Sequence, residues 1–426
     1  MKIGLVMLFC SSIFAQNMEI NLEKIVKENQ LMGLSVYTFS GKNEKVYNIG
    51  FRNESQKLPI TNDTKFRIAS ISKAFTALGL MKLYDKKLFK LDDDISNYLG
   101  FKVENPNFPN VAITFRMLLN HTSSLQDGTG YDAFLAATYN ENPIPNISSI
   151  LTPTGKSYTS NMFMNQKPGA FFTYCNLNFG LIGTLIEKIS KQRFDVYMKN
   201  EILKPLGISA TFSLQDITDI NSLGTIYRFD EKGWLPNKDD FKGVKPTPSD
   251  LTNYVVGNNA VFFAPQGGLR ASASDIGQFV KYLKNDGKTT KIISVKTIKL
   301  IKKNQWTFAE NNGDNYNGFF KQYGLGLHHT NKNGSDVIYN PDFFGEFVGH
   351  AGDAYGLISD GYFSEKQDFG FAIITNGCLI PFEKGKNSSF YKFEEDVFKL
   401  ICEDFMKNKS ATKKKLVKKK SKNSKK

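Results

Sequence analysis

The stretch Phe66-Arg67-Ile68-Ala69-Ser70-Ile71-Ser72-Lys73-Ala74-Phe75 decides the reading of this chain. From Ile71 the apolar residues Ala74, Phe75, Leu78 and Met81 fall at offsets of three, four, seven and ten, one face of a helix, so Ser70 stands at the start of a buried helix. Residues three apart share a helix face, which brings the Lys73 amine to the Ser70 hydroxyl. An apolar helix also desolvates the lysine, lowering its pKa and freeing its amine to take a proton. The spacing alone carries little, since Ser-x-x-Lys recurs at Ser389–Lys392 and Ser410–Lys413.

Working outward, Leu22 to Gln30 has helical spacing. Gly33–Phe39 alternates as a strand, Ser40-Gly41-Lys42-Asn43 turns, and Lys45–Gly50 returns. Helical patterns follow at Phe115–Leu119, Phe179–Ile189 and Phe194–Ile202. Strand-like segments come back only late, at Tyr323–His328, Gly356–Phe363 and Gly370–Thr375. The expected fold is therefore α+β, an α/β sandwich: a mainly antiparallel sheet built from both chain ends and flanked by helices, with a mostly helical subdomain inserted. The expected division is an α/β part at about 16–90 and 265–405, and a helical part at about 91–264.

Met1-Lys2, the apolar run Ile3–Phe9 and Ala15 before Gln16 read as a signal peptide over residues 1–15, placing the mature protein in the periplasm, the cell envelope or the extracellular space. No later stretch is apolar for the roughly 20 residues of a spanning helix. The formal charge is +14, but residues 407–426 hold 11 lysines and no acid, and without these and Lys2 the balance is only +2. Residues 406–426 read as a disordered lysine-rich tail suited to an anionic envelope surface, not to nucleic acid. Of four cysteines, Cys10 leaves with the signal, and Cys378 and Cys402 either pair or remain buried thiols.

Two further patterns carry chemistry. Tyr174-Cys175-Asn176 is the only Tyr-x-Asn among 18 tyrosines. A phenol near a lysine relays protons, and an asparagine amide holds a substrate amide or orients Lys73. His350-Ala351-Gly352 is the only His-x-Gly; its glycine lets a strand approach closely, so that the N–H of Asp353 joins that of Ser70 as an oxyanion hole. Asp92-Asp93-Asp94 reads as a solvated loop. The adjacent His328 and His329 face opposite sides of a strand and share no metal. No zinc motif or phosphate-cradling loop is present.

In order and placement these motifs resemble the serine β-lactamase-like family, which includes class C β-lactamases, DD-peptidases, D-aminopeptidases and related esterases. The resemblance runs from about Gly33 to Asn376. It extends to Leu118–Leu125, Pro168–Tyr174, Lys204–Gly207 and Gly267–Arg270, the last leading into a helix capped by Ser272 or Ser274. His121 reads as structural. The resemblance implies a β-lactamase/transpeptidase-like fold and an acyl-enzyme on Ser70, with Lys73 or Tyr174 as base. It also implies substrate contacts at Asn176, His350 and Gly352, and neither metal nor organic cofactor. Cys175 stands where the family usually has serine. His350 replaces the lysine of Lys-Thr-Gly enzymes, so a fixed cation gives way to a residue with an unperturbed pKa of about 6.5. The expected activity is accordingly that of a D-amino-acid peptidase, a hydrolase of peptidoglycan-type peptides, or an esterase. A class C-like β-lactamase and a non-catalytic cell-wall-peptide or penicillin binder are the alternatives.

Overall fold

The computed structural model describes residues 17–379 and 381–423, with side chains of the last helix described to residue 411. The proposed signal segment and Ser424–Lys426 lie outside these residues. Among them, one antiparallel sheet of nine strands forms the centre. Its order is Leu58–Pro59, Asn43–Asn53, Gly33–Ser40, Phe369–Thr375, Leu357–Ser364, Phe347–Ala354, His328–His329, Gln322–Tyr323 and Trp306–Thr307. The first strands of the chain thus lie directly beside its last, as expected: Leu34 pairs with Thr375 and Val36 with Ile373.

Alternation fixes which helices cover which face. Leu34, Val36, Phe371 and Ile373 pack with Met18, Leu22, Val397 and Phe398 of the two terminal helices. Tyr37, Phe39, Ala372 and Ile374 pack with Ile71, Phe75, Ile276 and Phe279 on the other face. Both faces are apolar because both are covered. The helix Ala273–Lys284 begins at Ser272, whose hydroxyl and Asp275 form a reciprocal capping box.

Two expectations are corrected, and a third, the mostly helical insertion, is borne out and refined. The strand expected over Tyr323–His328 is broken by a tight turn in which Gly326 takes a φ of +77° and the Gly324 N–H donates to Leu327 O, leaving two short paired strands. The inserted region is largely helical but also carries a hairpin, Ile226–Asp230 with Gly233–Lys238. The disordered tail is overruled as far as residue 423, because the helix Lys392–Asn423 runs through it. Residues 406–423 contain no glycine or proline, and lysine, alanine and leucine prolong a helix already anchored by its buried first turns. Cys378 and Cys402 are buried free thiols.

Candidate active site

The helix Ile71–Asp85 is buried on nearly every side, between the sheet and the helix Asn176–Ser190. It is entered through Ala69, held at a φ of +48°, a left-handed conformation that costs a non-glycine residue energy and turns Ser70 to the helix mouth. Inside this helix the buried hydroxyls of Ser72 and Thr76 bind the 265–269 segment: the Leu269 N–H donates to Ser72 Oγ at 3.1 Å, and Thr76 Oγ1 donates to Pro265 O at 2.8 Å. That seam sets Gln266 O against Lys73.

Lys73 is fully buried and makes three hydrogen bonds. Its Nζ lies 3.0 Å from Ser70 Oγ, 2.8 Å from Asn176 Oδ1 and 2.9 Å from Gln266 O. Desolvation pushes its pKa down to about 7, against an upward pull from the Asp127 carboxylate. In the neutral form two N–H bonds serve Asn176 and Gln266, acceptors that cannot donate, and the lone pair is left for the Ser70 hydroxyl.

Tyr174 brings its ring centroid to 4.8 Å from Lys73 Nζ. Burial pushes its phenol well above the usual tyrosine range, with a weaker downward pull from the Ser70 hydroxyl. The residue is held from both sides by one histidine: the Thr173 N–H donates to His121 O at 2.8 Å and the Cys175 N–H to His121 Nδ1 at 3.1 Å. The His121 ring packs on Tyr174 at 4.4 Å, so His121 has the structural role expected of it.

On the opposite wall, the strand Phe347–Ala354 passes against the serine. A Cβ built on Gly352 would lie 3.1 Å from Ser70 N, 2.6 Å from Ile68 O and 2.5 Å from Ser359 Oγ, so only glycine permits this approach. Among the described residues no acceptor takes the Ser70 N–H. Asp353, next along the strand, is exposed and its carboxylate accepts from the Tyr391 hydroxyl at 2.9 Å.

His350 is brought to the site without offering it a cation. Its Nδ1–H donates to Ala351 O at 2.5 Å, and its Nε2 accepts from the Tyr323 hydroxyl at 2.8 Å. Burial, helped by the nearby Lys73, lowers its pKa to about 3. The ring is neutral and both its nitrogens are occupied within the protein, which leaves orientation of Tyr323 and the strand as its visible work.

Sequence reasoning missed Asp127. The helix Asn176–Ser190 starts after Cys175, whose side chain makes no capping bond. Asp127 supplies the cap from a distant loop, with Oδ2 accepting from Asn176 N and Nδ2 and Oδ1 from Leu177 N, all at 2.8–2.9 Å. A cysteine where a helix wants an oxygen acceptor was the available signal.

A family pattern described as Beta-lactamase matches residues 14–383. The chain belongs to the beta-lactamase family. Penicillin-binding protein 4* of Bacillus subtilis is 25% identical over 336 residues, covering 78% of this chain and 64% of that protein. Protein flp of Staphylococcus aureus is 30% identical over 45% of this chain, and the match spans only about a third, 36%, of its own length. Among solved structures, an octameric penicillin-binding protein homologue from Pyrococcus abyssi superposes with a TM-score of 0.63 at 25% identity, covering 85% of this chain and 73% of the other. The D-amino acid amidase of Ochrobactrum anthropi SV3 gives 0.64 at 19% identity, covering 91% and 99%, a likeness of fold. Family membership and the antiparallel sandwich with its helical insertion agree with the sequence expectations.

Proposed function

We propose that this member of the beta-lactamase family is an exported serine hydrolase that cleaves amides or esters of the D-amino-acid peptide, peptidoglycan-peptide or small-ester kind through an acyl-enzyme on Ser70. The observation that carries the reading is the Lys73 amine, buried and triply bonded with Ser70 Oγ as one of its three partners. The export part rests on the signal-like segment 1–15.

In the proposed reaction the Lys73 lone pair takes the Ser70 proton as Oγ attacks the carbonyl carbon. Lys73 suits the base better than Tyr174, because burial lowers the lysine to about 7 and raises the phenol. The oxyanion is received by the N–H groups of Ser70 and Asp353, an electrostatic contribution of about 3–4 kcal/mol for a single donor in comparable sites. The proton then passes from Lys73, by way of the Tyr174 hydroxyl, to the departing nitrogen or oxygen. Water attacks the acyl carbonyl with the same groups acting in reverse.

The neutral His350 supports peptidase or esterase activity over that of a dedicated β-lactamase, whose substrate carboxylate calls for a cation on this strand. The test is intact-protein mass spectrometry after exposure to a fluorophosphonate and to a penicillin. An adduct on the Ser70 protein that is missing from Ser70→Ala is expected. An adduct that persists in Ser70→Ala removes Ser70 as nucleophile, and no adduct with either reagent favours a non-catalytic binder.

A further inference from the structure

If the catalytic strand holds no cation, a charged substrate must find one elsewhere, and one is available against the Gln266–Gly267 segment that also holds Lys73. Arg67 precedes Ser70 by three residues. Its Nε–H donates to Gly267 O at 3.2 Å, its guanidinium carbon lies 5.3 Å from the centre of the Tyr355 ring, and it reaches the Tyr139 hydroxyl. Lys238 Nζ lies 5.1 Å from the same Tyr355 ring. Arg116, Arg193 and Arg270 each hold an aspartate, but among the described residues neither Arg67 nor Lys238 is ion-paired to a carboxylate.

Tyr355 is fixed where these cations meet the site. It follows the strand that carries Gly352, it is held at a φ of +64°, and its carbonyl accepts from Asn237 Nδ2 at 2.8 Å. Two cations at one ring repel each other unless an anion joins them. There is room for one. Gly267 is partly exposed, and a Cβ built on it would come no nearer than 3.8 Å to any neighbour, in ordinary contact with the backbone of Ala69, so this position beside the residue that precedes Ser70 is not crowded. The carboxylates of the site are otherwise engaged: Asp127 with Asn176 and Leu177, Asp353 with Tyr391.

We propose that Arg67, assisted by Lys238 at the shared tyrosine, anchors a carboxylate carried by the substrate that lies over Gly267. The inference rests on the Ser70 hydrolase reading for its substrate, but not for its test. An arginine suits the task, since Nε is held by Gly267 O and terminal N–H groups beyond the one that reaches Tyr139 remain for a carboxylate. The substrate class is thus an ester or amide bearing a free carboxylate, and its charge is read by Arg67 instead of by the His350 strand.

The experiment uses the full chain carrying Ser70→Ala, so that esters bind without being cleaved, and measures dissociation constants by calorimetry. Three probes are compared: mono(4-nitrophenyl) glutarate, with the carboxylate in the acyl part; 4-(pentanoyloxy)benzoate, with it in the leaving part; and neutral 4-nitrophenyl pentanoate. Expected is tighter binding of one carboxylate ester than of the neutral one, a preference that Arg67→Gln reduces about tenfold or more and that weakens with salt. The arm that shows the preference tells which end of the substrate is charged. Equal binding of all three probes, or an equal loss for all three in Arg67→Gln, overturns the proposal. Lys238→Gln, at an exposed position, should reduce the same preference about two- to fivefold, and its failure to do so overturns Lys238's part even where Arg67→Gln folds poorly. Turnover of the same esters by the Ser70 protein reports separately on the hydrolase reading.

Discussion

Asp127 grips Asn176 twice, by the backbone N–H at 2.9 Å and by the side-chain Nδ2 at 2.8 Å, and this grip decides which end of the amide faces Lys73. With Nδ2 committed to the carboxylate, Oδ1 must turn to the lysine, where it accepts at 2.8 Å. Asp127→Ala frees the amide to rotate and leaves the first turn of the helix uncapped. The expected outcome is a loss of about 1 kcal/mol in thermal or urea unfolding and a fall of about tenfold or more in acylation rate. An unchanged acylation rate in Asp127→Ala would contradict the orienting role.

The pH dependence follows from Lys73. Burial holds its pKa at about 7, so below that pH the amine is protonated and has no lone pair for Ser70. Acylation by a fluorophosphonate should rise about tenfold per pH unit up to a plateau, with its midpoint near pH 7. Stability has the matching sign. The unfolded chain holds the lysine proton more tightly than the folded one, so this residue's contribution improves as pH rises from about 7 toward the unfolded value of 10.5 and is least favourable below about 7.

Gly352→Ala tests the close approach of the strand. A methyl group there would sit 2.6 Å from Ile68 O and 3.1 Å from Ser70 N, and one of the two backbones must give way. Acylation is expected to fall about a hundredfold through the oxyanion site, with a loss of about 1–3 kcal/mol in unfolding free energy. Retained activity would mean that the strand and the serine do not act together.

His350 should not titrate in the neutral range, because burial lowers its pKa to about 3. Nitrogen NMR of labelled protein is expected to show a neutral ring protonated at Nδ1 from pH 5 to pH 8. A charged ring at pH 6 would restore the cation that the strand otherwise lacks. His350→Ala strands the buried Tyr323 hydroxyl, at a cost of about 1–3 kcal/mol measured by thermal unfolding.

Periodicity and motif order were enough to read the sheet shared by the two chain ends, the buried helix behind Ser70, and the grouping of Ser70, Lys73, Tyr174 and Asn176, since each of these follows from local spacing or from linear order. The break at Gly324–Leu327 and the helix through the lysine-rich end were not legible: the first is a turn hidden in a strand-like alternation, the second a polar stretch extended from an anchored helix. What only the tertiary structure decided is electrostatic. The neutrality of His350, the depressed pKa of Lys73 and the capping of a cysteine-led helix by Asp127 depend on burial and on partners far away in the chain, 103 residues between Lys73 and Asn176 and 193 between Lys73 and Gln266. Side-chain spacing declares which groups share a helix face, but the charge each group carries is set by the water the fold removes and the dipoles it supplies, and neither is written in the spacing.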